Sequence, residues 1–122
     1  MTTKVGIING KISGLITITG RFQTIQGVDV VSANDITLGN GNYFDLTGVV
    51  DIQRILGTNW TAGSVITLQT DGAPTIKADI AAGGGYYGFK LAGGADFLMS
   101  AGATLIIVFD GVWFREISRT VV

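Results

Sequence analysis

Apolar and polar residues alternate with a period of two along most of this chain, the pattern of strands with one covered face. The clearest stretch is Ala103–Arg119, ATLIIVFDGVWFREISR. Leu105, Ile107 and Phe109 fall on one face of a strand and Ile106 and Val108 on the other, so both faces are apolar, as in a strand covered on both sides. Asp110-Gly111 is a pair that accepts the positive φ angles of a two-residue hairpin turn. Beyond it, Val112 and Phe114 share a face with Glu116 and Ser118, while Trp113 and Ile117 share the other with Arg115 and Arg119. This predicts a hairpin at the centre of a β-sandwich. Leu105, Ile107, Phe109, Trp113 and Phe114 are its candidates for burial, within the chain or between chains.

Upstream, Tyr43–Leu46 alternates with Phe44 and Leu46 inward, and Val49–Leu56 offers Val50, Ile52 and Ile55 to the core. In Ser64–Thr70, Ile66 and Leu68 face one way and Val65, Thr67 and Gln69 the other. Thr75–Ile80, Tyr86–Leu91 and Phe97–Met99 read as further strands, separated by Asp71-Gly72, by Ala81–Gly85 and by Ala92–Asp96. The pattern is weaker before Ile36. There Val5–Ile8 precedes an Asn9-Gly10 turn, Leu15–Thr19 alternates, and Phe22–Ile25 and Val28–Val31 are short apolar pieces. Residues 1–35 are therefore set apart as an arm, a docking segment or a strand pair added to the sandwich, and residues 36–122 as the sandwich itself. About ten short strands at regular turn spacing predict an all-β, antiparallel, jelly-roll-like sandwich.

Composition sharpens this. The 122 residues suffice for one domain. Nineteen glycines stand against the single Pro74, which suits tight turns between short strands. Charged residues are only 14% of the chain, well below the roughly 25% of typical soluble domains, and 47% are hydrophobic. Mean hydropathy is +0.47. No apolar run exceeds five residues, far short of the ~18 of a membrane helix. So charge-poor a surface is expected where part of it is buried against other copies. The alternative is a monomer coated with Thr, Ser, Asn and Gly.

Net charge is −1 and the eight Lys and Arg residues are scattered, so no basic stripe marks a nucleic-acid binder. The chain has no cysteine and hence no disulfide or thiolate metal site. The opening MTTKVGIING lacks the apolar core of a secretory leader. A chain starting at Met1 reads as a small complete gene product or as an expressed fragment.

Candidate chemistry is sparse. There is no histidine, which removes His-based general bases and the commonest metal ligand. Asp45 and Asp51 are spaced to approach each other across a strand change, but Asp45, Asp71, Asp96 and Asp110 sit in or beside turns, where Asp serves local hydrogen bonds. Gly83–Gly88 is followed by a strand instead of the helix that a phosphate loop requires, and no Gly-Lys-Ser/Thr appears. No cofactor or metal is expected, nor catalysis. Trp60, Tyr86 and Tyr87, with Tyr43, are the residues that can stack on sugar rings, although Tyr and Trp also suit strands and interfaces. Asn59-Trp60-Thr61 matches a glycosylation sequon, a short pattern with little meaning outside a secretory route.

From Asn42 to Thr120 the chain resembles a small β-sandwich domain of bacteriophage tail fibres, tailspikes and related virion proteins. The resemblance rests on Phe44-Asp45-Leu46-Thr47-Gly48 with Val49–Ile52, on Gly63–Leu68, on Leu91–Asp96, on Ala101–Thr104, and on the closing Asp110–Arg119. It implies a homotrimer with a structural role: trimerisation, fibre capping, or presenting a surface to the host. The size of the chain adds the expectation of a knob-like capsid decoration or cement protein. Such a protein would be made in the host cytoplasm and seated on the capsid exterior against the major capsid protein or another virion protein, with residues 1–35 docking. The alternatives are a fibre or tailspike tip and a carbohydrate-binding sandwich that meets a host surface glycan.

Overall fold

The computed structural model describes residues 14–122; Val5–Ile8 and the Asn9-Gly10 turn lie outside the described residues. Ten strands follow in chain order: β1 (Val30–Val31), β2 (Asp35–Ile36), β3 (Tyr43–Thr47), β4 (Arg54–Leu56), β5 (Val65–Thr70), β6 (Thr75–Ile76), β7 (Tyr86–Lys90), β8 (Phe97–Leu98), β9 (Thr104–Phe109) and β10 (Phe114–Thr120). The protein is all-β, as the alternation predicts. Eight strands form one sheet, in the order β1-β3-β5-β9-β10-β7-β4-β2, that curls nearly into a barrel, and β6 and β8 form a separate two-stranded ribbon.

The expected antiparallel pairing holds where β9 meets β5 and β10, and in the pairs β4–β7 and β6–β8. The pairs β1–β3, β3–β5, β2–β4 and β7–β10 are parallel instead. The chain order explains this. Successive strands from β1 to β5 go alternately to two wings, β1-β3-β5 and β2-β4, so neighbours within a wing run the same way. The C-terminal hairpin β9–β10 lies between the wings and joins β5 to β7.

The inward face follows the period of two. Phe44 and Leu46, Ile66 and Leu68, and Leu105, Ile107 and Phe109 alternate into one core with Ile52, Ile55, Phe89 and Phe114. Val50 does not join them and remains 47% exposed. Its backbone N–H donates to Ser32 Oγ at 3.0 Å, which holds it in a bend after β3 rather than in a strand. The ribbon β6–β8 covers another flank with Ile76, Phe97 and the adjoining Met99. Among the described residues, the predicted strands at Leu15–Thr19 and Phe22–Ile25 are absent as paired elements. The sheet begins at Gln26, which bridges Tyr43, and β1 and β2 form its two edges.

The hairpin departs from expectation twice. Phe109 pairs with Phe114, so the turn contains four residues, not two. Asp110 accounts for the longer turn: its Oδ1 accepts the N–H groups of Val112 at 2.8 Å and Trp113 at 2.7 Å. Then a bulge at Ile117 shifts the register, so that Glu116 opposes Ile107 and Ser118 opposes Ile106. One inserted residue reverses the alternation. Arg119, assigned by simple alternation to the face opposite Glu116, instead comes level with inward Leu105. It pairs with Glu116 at 2.6 Å and lies 3.9 Å over the Phe97 ring.

Candidate functional site

Of the three aromatic residues read as glycan contacts, the structure brings two together. Trp60 and Tyr87 line one groove of about 390 Å³ with Thr58, Ala62 and Phe109. A smaller groove of about 190 Å³, with Leu38, Asn40 and Asn59, lies on the other side of Trp60. Tyr86, one residue before Tyr87 in β7, points to the opposite face of the sheet. The shared aromatics are largely committed to packing. Trp60 meets Phe44 edge-on at 6.5 Å, and Tyr87 packs on Phe109 at 5.3 Å. Phe109 stacks on Phe114 at 4.5 Å, so the groove floor is the outer end of the core. Thr58 and the Tyr87 phenol are the hydroxyl side chains lining the larger groove.

The hairpin residues separate into two groups. Leu105, Ile107, Phe109 and Phe114 are buried inside the chain's own core, so another copy would meet the opposite face of the hairpin. Trp113 is half-buried, with Lys90 Nζ 4.2 Å from its ring centroid.

That opposite face is a continuous surface spanning four strands. Across it, Tyr43, Thr67, Ile106 and Ser118 form one row, and Asp45, Gln69, Thr104 and Thr120 the next. Val65 and Val108 form a third row, closed by Arg115. Asp45 is the single carboxylate in these rows, and Arg115 is occupied by Asp110. Sequence reasoning put Ile106 and Val108 on a covered face but did not connect them to Tyr43 and Thr67, because that row is assembled from four separate strands. Tyr43, partly desolvated and beside Asp45 and Asp71, has its phenol pKa raised, with burial the largest cause.

The carboxylates otherwise serve structure. Asp45 accepts from Gln26 Nε2 at 3.1 Å, and no hydrogen bond or ion pair joins it to Asp51. Among the described residues, no group of three or more His, Cys, Asp or Glu is placed to hold a metal ion. Gly83–Tyr86 is a closed turn rather than a loose loop. Gly83 and Tyr86 exchange two backbone hydrogen bonds of 3.0 Å, and Gly84 and Gly85 take the positive φ angles, 61° and 85°, of a type I′ hairpin.

Asp110 has the strongest electrostatic setting. The N–H of Trp113, then Arg115, then the N–H of Val112 pull its pKa down to about 2. A carboxylate depressed in the fold stabilises it above the unfolded pKa of ~3.9, and that contribution is lost as pH falls towards 2. The melting-temperature gap between wild type and Asp110→Asn is therefore expected to be widest above pH ~4 and to narrow from there to pH ~2. Thermal melts followed by circular dichroism measure it. A gap constant to pH ~2 would assign the difference to hydrogen bonds alone.

Comparison with family models, curated proteins and solved structures finds no match to this chain.

Proposed function

We propose that this chain is a self-associating structural domain of a virion, a homotrimer on the capsid exterior seated against the major capsid protein or another virion protein. The observation that carries the reading is the outer face of β3, β5, β9 and β10, a β surface of Thr, Val, Ile and Tyr with one carboxylate free of any ion pair, Asp45. Sheet faces of this composition are normally covered, and charge depletion marks the centres of interfaces. The virion assignment rests on the ordered motifs from Phe44 to Arg119. A fibre or tailspike tip uses the same surface and is the nearest alternative. Glycan stacking on Trp60 and Tyr87 is weaker support for a carbohydrate-binding module, because both rings are engaged with core phenylalanines.

Light scattering on the purified protein tests the reading. The expected mass is three times that of the 12.7 kDa chain, unchanged on dilution through the micromolar range. A monomer at every concentration would overturn it.

A further inference from the structure

Residues 14–25 form an extended segment with every residue exposed. Leu15 is 96% exposed, and Phe22 and Ile25 are each 72% exposed. Its Ile16-Thr17-Ile18-Thr19 alternation is strand composition, yet no ladder pairs it with another described residue. Ordering an isolated strand costs backbone entropy that no contact among the described residues offsets.

The root of the segment is fixed. Asn42 N–H donates to the Ile25 carbonyl at 3.1 Å, Gly27 N–H donates to the Tyr43 carbonyl at 2.8 Å, and Gln26 holds Asp45. From there Phe22 and Thr24 wall a groove of about 510 Å³ over Tyr43, Val65 and Thr67, at the N-terminal ends of β3 and β5. Fully extended at ~3.3 Å per residue the segment would span at most about 40 Å, against the ~13 Å radius of gyration of a domain this size, and it bends at Gly20, φ 103°.

Charge indicates where it lands. Among the described residues, Arg54, Lys77, Lys90, Arg115 and Arg119 each have a carboxylate partner, and Arg21 has none. Asp45 and Asp71 both act on the Tyr43 phenol and neither takes part in an ion pair. Leu46 pairs with Thr70, so Asp71 lies at the C-terminal ends of β3 and β5, opposite the end from which the arm leaves. In its own chain Arg21 meets neither.

We infer that Leu15–Arg21 of each chain lies across the outer face of β3, β5 and β9 of a second copy, with Arg21 towards that copy's Asp45 and Asp71. This rests on the self-association reading and specifies its contact. Ile16 and Ile18 meet the Thr67–Ile106 and Val65–Val108 rows, which have the composition of the arm. An arm-to-face contact is heterologous: each chain gives one arm and receives one, and such contacts form a ring when the rotation between copies closes, as the trimer requires.

The native chain has no cysteine, so single cysteines report the contact cleanly. Full-length Ile18→Cys, on the contacting face of the arm, is co-refolded with a differently tagged Thr67→Cys, which sits on the outer face of β5, and is mildly oxidised. Any disulfide joining the two tags is between chains. Its yield is expected to exceed by about ten-fold or more that of Ile18→Cys with Ala82→Cys, in the loop between β6 and β7, because assembly raises the local concentration at one site only. Equal yields in a protein that still has the trimer mass would overturn the arm placement and leave self-association standing. A monomer-sized, internally bridged product from a single chain carrying both Ile18→Cys and Thr67→Cys would place the arm on its own sheet and overturn the exchange. A wild-type protein that is monomeric removes both readings.

Discussion

Phe114→Ala is expected to lower the unfolding free energy by about 3–5 kcal/mol, the range for truncating a fully buried aromatic residue. Phe114 has no exposed surface. It pairs with Phe109 of β9 on one side and with Phe89 of β7 on the other, where the two wings of the sheet meet. Its ring stacks on Phe109 at 4.5 Å and tilts against Phe89 at 6.2 Å. A cavity there removes aromatic contacts that both wings share, and the ladders around it are too constrained to collapse into the space. Urea unfolding should show a lower midpoint with an unchanged slope. Val112→Ala, at a 56% exposed turn position two residues away, serves as the control and should fall within about 0.5 kcal/mol of wild type. Equal losses in the two variants would show that Phe114 is not the joint between the wings.

Gly88→Ala is the second large effect, and it acts by overfilling. A Cβ at this position would lie 2.0 Å from the Ile80 carbonyl oxygen and 3.0 Å from the Trp113 ring. Backbone cannot rotate aside as a side chain can, so β7 or the segment before it must shift. The ladder to β4 and the hydrogen bond from Asp79 N–H to the Phe89 carbonyl, 3.0 Å, oppose that shift. A loss of about 3 kcal/mol is expected, the upper part of the overpacking range. Gly39→Ala, where an added Cβ meets nothing within 4 Å, should be near neutral under the same urea titration. If the two variants matched, the close approach of the Ile80 carbonyl would have no energetic weight.

The inward residues of β3, β5 and β9 were legible because each strand has several residues in strict alternation and one covered face. Phe44, Leu46, Ile66, Leu68, Leu105 and Ile107 needed no tertiary information. Pairing direction was not legible, since Tyr43 with Thr67 and Arg54 with Gly88 are choices among strands far apart in sequence. Nor was the bulge at Ile117. Its apolar side chain fits the alternation, and only the opposing register shows that it is the inserted residue. The inward Glu116–Arg119 pair follows from that bulge and was hidden with it. For the site, the aromatic residues were visible as types, but their sharing of a groove depends on the loop after β4 meeting β7. Residues 14–25 lie within the segment set apart at 1–35, but Val30–Val31 of that segment joins the sheet as β1. The lack of a ladder between 14–25 and other described residues was not legible, because Ile-Thr alternation is as good a strand as any other in the chain.

The position of the β9–β10 hairpin also bears on how the molecule comes into being. Of the sheet's strands, the two at its middle are the last to be synthesised. Until residues 104–120 have emerged, β5 and β7 each keep an open edge, and the wings to which they belong have no common partner. The domain therefore cannot be completed stepwise from its N-terminus. Residues 104–120 act as a closing element, and a nascent chain lacking them presents two unsatisfied β edges to its neighbours on the same message.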